Sequence, residues 1–129
     1  MPQIAALTIN DGATTPAAHT FAVIGTTGTK ATWADKVSGI PAGYVRMTHE
    51  VREAKSAAGA HSVIYGFEQP TLATVDGQQK RVRVSSAQVR FNFAQDSTDQ
   101  ERKDLVAYTL NGIGGAVMKP ATYNIEPTY

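Results

Sequence analysis

RVRVSSAQVRFNFAQDSTDQERKDLVAYTL, residues 81–110, decides how the rest of the chain is read. From Ser85 the residues alternate. Ser85, Ala87, Val89, Phe91 and Phe93 fall on one side, and Ser86, Gln88, Arg90 and Asn92 on the other. A period of two with one apolar side marks a strand that buries one face and wets the other. The period changes at Asp96-Ser97-Thr98-Asp99-Gln100-Glu101. Ser97 with Gln100, or Thr98 with Glu101, makes a capping box, and the acids lie where a helix start favours negative charge. Val106, Leu110, Ile113 and Val117 then share one helical stripe. A strand with one dry face running into a helix with one dry face predicts an α+β layer, with the helix on the sheet.

Upstream, Tyr44 to Glu53 repeats the alternation. Val45, Met47, His49 and Val51 point one way, and Arg46, Thr48, Glu50 and Arg52 the other. Ala54 to Ala60 makes a turn, and Ser62 to Gln69 returns with Val63, Tyr65 and Phe67 opposite Ser62, Ile64, Gly66 and Glu68. Pro70 is expected to end the pairing, because it donates nothing to a ladder. Thr71 to Gln79, around Asp76-Gly77, reads as a polar loop or long hairpin tip, and the next strand starts somewhere in Lys80 to Ser85. Arg81 and Arg83 share the parity of the dry residues. Either a bulge intervenes or regular pairing begins at Val84.

Nearer the N-terminus, Ile4 to Ile9 and His19 to Ile24 flank an Asp-Gly turn with a proline, which predicts a hairpin. Gly25 to Gly28 reads as a breaker cluster, Thr29 to Lys36 as a third strand and Ser38 to Gly43 as loop. At the other end, Gly112, Gly114 and Gly115 each cost about 1 kcal/mol against alanine in a helix, so the helix should break or kink there. An irregular tail limited by Pro120 and Pro127 follows. The expected layout is one domain over residues 1–129, with a hairpin over 1–28, an antiparallel sheet of about five strands over 29–95 and a helical region over 96–129.

Composition narrows the function. The chain has 129 residues and a formal charge of +1, so attraction to nucleic acid must come from local placement. There is no cysteine, which excludes disulfides and thiolate chemistry. No apolar run approaches the roughly 20 residues of a membrane helix, and no secretory leader follows Met1-Pro2. Proline after Met1 favours removal of the initiator.

Catalysis finds no footing. His19, His49 and His61 stand in separate segments with no carboxylate or hydroxyl at triad or metal-ligand spacing, and read as surface or packed side chains. Gly112-Ile113-Gly114-Gly115 lacks the strand and the lysine-serine of a phosphate loop. No enzyme, cofactor, metal site or small-molecule substrate is expected. The basic groups Lys80, Arg81, Arg83 and Arg90 occupy a stretch free of acids between Asp76 and Asp96.

Geometry also demands a partner. About five strands at roughly 4.8 Å spacing span about 24 Å, whereas a helix is about 10 Å across. One helix cannot roof the apolar face, and the remainder exceeds what a soluble monomer usually exposes. A two-fold dimer removes the difficulty.

The run Val89 to Arg102, together with Ile40-Pro41-Ala42-Gly43-Tyr44-Val45-Arg46-Met47-Thr48 and the ending Glu126-Pro127-Thr128-Tyr129, resembles coat proteins of the small single-stranded RNA bacteriophages. Among these leviviruses the Q-beta branch is nearest in wording, and the resemblance covers most of the chain. It implies an interlocked homodimer, in which Leu105, Val106, Leu110, Ile113 and Val117 of each C-terminal helix pack on the partner's sheet. Such dimers would close into an icosahedral shell, in the virion and, during assembly, in the host bacterial cytoplasm. It also implies genomic single-stranded RNA as a partner on the wet face, at Arg46, Thr48, Arg52, Ser62, Ser86, Gln88 and Arg90. Thr48 matches a threonine of the family's adenine pocket, and Arg46 a basic residue beside it. A translational-operator hairpin is a further RNA ligand that the resemblance implies for this face, but Ser86 replaces a tyrosine that stacks on a base, and Gln88 an Asp or Asn, so the family's particular hairpin does not follow. Thr71, Thr74, Asp76, Gly77, Gln78 and Gln79 correspond to the loop through which dimers meet. Relatives staple that loop with disulfides, which this chain cannot form. The rival reading is a non-assembling dimeric regulator that binds RNA with the same face.

Overall fold

The computed structural model describes residues 3–128, so Met1, Pro2 and Tyr129, with the expectations placed on them, lie outside the described residues. Six strands form one antiparallel meander: β1 (Leu7–Asn10), β2 (Ala18–Thr27), β3 (Lys30–Asp35), β4 (Val45–Arg52), β5 (Ala60–Val75) and β6 (Gln78–Ala94). Their order in the sheet is their order in the chain. The helices α1 (Asp99–Ile113) and α2 (Met118–Asn124) follow, and Pro41–Gly43 makes one 3-10 turn between β3 and β4. Neither helix is long and apolar enough to cross a membrane.

The long β5–β6 hairpin corrects two expectations. Pro70 does not end β5; it stays in register opposite Val84, and the strand runs on to Val75. Pairing with β4 has stopped by then, its last partners being Arg46 and Glu68. Beyond Glu68, β5 is therefore locally an edge strand, and a bulge lies one residue past Pro70; these are the two settings in which a sheet accepts proline. Nor is 71–79 a loop. Asp76 and Gly77 have φ of 52° and 77° and join Val75 directly to Gln78, as a two-residue turn with both central residues left-handed. The parity question is answered by the bulge. Thr71 faces Arg83 and Leu72 faces Arg81, so Val82 is the extra residue. Arg81 thereby turns to the side of Glu68, which its guanidinium reaches at 3.3 Å.

The strand-to-helix junction takes the Thr98 frame. Thr98 Oγ1 accepts from the Glu101 amide at 3.2 Å and the Thr98 amide donates to Glu101 Oε2 at 2.9 Å. Ser97 instead donates its hydroxyl to the Ala94 carbonyl at 2.7 Å. The helix stops at the glycines as expected, with the Gly114 amide closing on the Leu110 carbonyl. Val117 consequently lies outside α1, as the N-cap of α2. The tail is not irregular, because α2 accommodates Pro120 in its first turn, where the missing N–H would have had no intrahelical acceptor.

The core is thin. Phe21, Trp33, Ala34, Ile64 and Phe91 are buried, while neither helix buries a residue. On the dry face Trp33, Met47, Phe67 and Ala87 form one cross-strand row, and Ala31, His49, Tyr65 and Val89 the next. Phe91 meets Tyr65 edge-on at 6.3 Å and stacks on Phe93 at 6.0 Å. His49 tilts over Tyr65 at 4.9 Å, and His61 Nδ1 accepts from the Ala54 amide. The expectation of a helix lying on its own sheet is met only at one margin. Val106 and Leu110 wall one side of an open trough of about 460 Å³, whose floor includes Met47, Tyr65, Phe67 and Phe91. The chain exposes 9562 Å², against roughly 6,600 Å² for a compact monomer of this length.

One histidine has partners that its local sequence spacing does not reveal. His19 is gripped by two carboxylates, Asp35 Oδ2 at 2.8 Å and Asp11 Oδ2 at 2.9 Å. The meander brings Asp35 beside β2 from the far end of β3, a proximity that no local spacing reveals.

The capping geometry yields a direct test. Thr98→Ala should cost about 1 kcal/mol in urea unfolding, whereas Gln100→Ala, in the unused frame, should leave the midpoint nearly unmoved.

Candidate nucleic-acid interface

The sheet's period of two places every predicted RNA-facing side chain on one face. Cross-strand rows run Ala34–Arg46–Glu68–Ser86, then Thr32–Thr48–Gly66–Gln88, Lys30–Glu50–Ile64–Arg90 and Arg52–Ser62–Asn92. The dry residues occupy the opposite face. Asn92, which alternation already puts on the wet side, belongs to this polar face, and so do Lys30 and Arg81, which the sequence reading does not assign to it. Lys30 could have been found from the parity of Thr29 to Lys36; Arg81 could not, because the bulge alone turns it.

Ser62 and Ile64 are not wet, as the alternation predicts, but buried, at 5% and 8% exposure. Ile64 stands between Glu50 and Arg90 in its row, and long polar side chains cover an apolar neighbour with their stems. Ser62 is enclosed by hydrogen bonds. Its hydroxyl donates to Asn92 Oδ1 at 2.8 Å and accepts from Arg90 Nη2 at 3.2 Å, while Arg90 Nε donates to Asn92 Oδ1 at 3.1 Å. Ser62 and Asn92 thus hold the Arg90 guanidinium in place, and Ser62 offers no surface of its own.

The other cations are also oriented. Arg46 lies 5.6 Å over the Tyr44 ring, and its Nη2 donates to the Pro41 carbonyl. Arg81 Nε donates to the Ala42 carbonyl, so the 3-10 turn is tied to both arginines. Arg52 makes two hydrogen bonds to Glu50, at 3.1 and 3.2 Å. Those bonds, and with them the Arg52 and Lys30 charges, hold the Glu50 carboxyl below its ordinary value. The pair is exposed, so its contribution to stability is small. On this face Lys30, Arg46, Arg52, Arg81 and Arg90 outnumber Glu50 and Glu68, and the local field is positive although the whole chain is nearly neutral.

Gly66 shapes the centre. A Cβ there would come within 2.8 Å of Thr48 Oγ1, so the glycine leaves a notch beside the Thr48 hydroxyl, with exposed Gln88 on its far side. At the end of the sheet, Thr74, Asp76, Gly77, Gln78 and Gln79 are exposed on the two-stranded tip, whereas Thr71 sits back at the bulge, half-buried. Among the described residues no cluster of His, Cys, Asp or Glu could hold a metal ion.

Comparison with known proteins follows the same lines. Residues 2–129 match the levivirus coat protein family. Among solved structures the chain is similar to the virus-like particle of bacteriophage NT-214, at 28% identity and a TM-score of 0.87, over 99% of this chain and 100% of that one. The virus-like particle of Beihai levi-like virus 21 shares the fold at a TM-score of 0.89 and 22% identity, over 99% of both chains. The bacteriophage GA protein capsid shares it at 0.71 and 14% identity, over 96% of both. No curated protein matches. The match over nearly the whole length, on a sheet with one dry and one cationic face, places this chain in the levivirus coat protein family, as a structural capsid protein rather than an enzyme.

Proposed function

We propose that the chain is the shell subunit of an RNA bacteriophage. Two copies pair so that each one's α1, through Leu105, Val106, Leu110 and Ile113, fills the apolar trough of the other. The dimers then close into an icosahedral virion, meeting at the 71–79 hairpins, after assembly in the host cytoplasm. The observation that carries the reading is the trough: an aromatic sheet face with a single helix at its margin. Burying that face supplies the drive for pairing, and continuing the sheet across the pair would protect the edge of β6. Similar chains form the particles named above, which supports closure of this one.

The opposite face would then meet the packaged RNA. Its arginines are held by neighbouring groups and present guanidinium edges to phosphates, which supply affinity and position but carry no sequence. The notch between Thr48, Gly66 and Gln88 is open to an unstacked base. Position 86 offers a serine and no ring on which a second base could stack. The face therefore binds single-stranded RNA broadly, without reading the operator hairpin of relatives.

Two measurements test this. Recombinant protein should elute as closed particles, visible by electron microscopy, and should stay assembled in reducing buffer because nothing in it is disulfide-bonded. A dimer that persists at high concentration would identify the non-assembling regulator instead. RNA retention should fall as salt rises, and Arg90→Ala or Arg46→Ala should lower the slope of log K against log salt by about 0.7 per lost phosphate contact. Unchanged slopes in both variants would remove the polar face from RNA binding.

A further inference from the structure

His19 holds two carboxylates that belong to different parts of the chain. Asp35, at the end of β3, is 8% exposed in its side chain, meets His19 Nδ1 at 2.8 Å, and accepts the Val37 amide on its other oxygen. Asp11 opens the turn between β1 and β2 and meets His19 Nε2 at 2.9 Å. Its other oxygen accepts the Ala13 and Ala17 amides at 3.1 and 3.0 Å, so the carboxylate is the hub of the turn. Ile9, the cross-strand neighbour of His19 on β1, carries no charge. The charges acting on the imidazole are those of Asp11 and Asp35.

A neutral imidazole has one N–H and one lone pair, whereas an imidazolium donates from both nitrogens. With a carboxylate oxygen at each nitrogen, either neutral tautomer points a lone pair at an anion, and only the charged ring satisfies both carboxylates. The hydrogen bond to Asp35 is the more buried and is anchored in a strand, so deprotonation breaks the outer one, to Asp11. We propose that His19 is a proton-operated clasp: charged, it holds the 11–17 turn against the end of β3, and neutral, it lets the turn go.

The pH window follows from both partners. The hydrogen bonds from Asp11 and then Asp35 raise the His19 pKa above 6.5, so its contribution is complete below 6.5 and is lost as pH rises through the raised value. The Asp11 pKa is lowered from 3.8 to about 2, chiefly by the Ala17 amide and then by His19. Its contribution is complete above 3.8 and is lost only as pH falls through about 2. The clasp is closed in mild acid and opens in alkali.

The absence of cysteine makes a single-site probe simple. A nitroxide attached at Thr14→Cys, on the exposed turn, reports its freedom by electron paramagnetic resonance. In the otherwise native protein the spectrum should shift from the immobile to the mobile component between pH 6 and pH 9.5. With His19→Gln added, the mobile component should dominate at both pH values. Asp11→Asn discriminates further. The asparagine keeps an oxygen for Ala13 and Ala17 and turns an amide N–H toward Nε2, which a neutral ring accepts and a charged ring cannot. This variant should be immobile at pH 9.5 and mobile at pH 6, reversing the native response. A native spectrum that does not change with pH, or an Asp11→Asn variant that still opens in alkali, would overturn the clasp.

Discussion

The governing constraint is an apolar sheet face broader than the one helix its own chain can bring to it. Tyr65, Phe67, Phe91 and Phe93 converge on that face, and of the four Phe91 alone is buried. The chain exposes nearly half as much area again as a compact monomer of its length would. α1 reaches the margin of the sheet and stops, with Leu110 and Ile113 more than half exposed. A helix that buries nothing in its own chain gains little from folding alone, since most helical stability in proteins comes from packing an apolar face. The apolar stripe of α1 is thus left largely uncovered by its own chain, as the pairing proposed above requires.

The same period of two that makes one face apolar makes the other polar. The two faces are therefore not independent, because a register slip of one residue would exchange them. Two local devices guard the register of β5 against β6. The Asp76-Gly77 turn fixes which residues start the pairing, and the bulge at Val82 fixes where parity changes. Without that extra residue, Arg81 would face the aromatic side and leave Glu68 without its partner.

Much of this was legible in the sequence, for identifiable reasons. The alternation from Ser85 to Phe93 and from Val45 to Arg52 is long enough to fix both faces, and the capping box narrowed the start of α1 to two frames. What escaped was set by tertiary context. Pro70 reads as a stop only when both neighbouring strands are assumed present, and β4 has already ended. The segment 71–79 reads as loop because its side chains are polar, yet its backbone runs in two paired strands joined by a two-residue turn. Ile64 looked stranded on a wet face because single-strand parity does not show Glu50 and Arg90 on either side of it. His19 looked isolated because its partners stand eight and sixteen residues away.

The proposed division of labour between the faces sets where such a chain is free to vary. Under the proposed pairing, changes at the dry positions must preserve the volume and shape offered to a second copy's helix, since close-packed interfaces respond to single methylene groups. Under the proposed RNA binding, changes at the exposed polar positions alter chiefly what the face offers to phosphates, and phosphate binding tolerates wide substitution as long as cations are held near the surface. Ser86 and Gln88, where the sequence departs from the Q-beta pattern, lie on that side. Arg90 is the exception on that face. Ser62 and Asn92, thirty residues apart, commit their own hydrogen bonds to orienting it, and a guanidinium fixed from two strands loses less freedom on meeting a phosphate than one that is free.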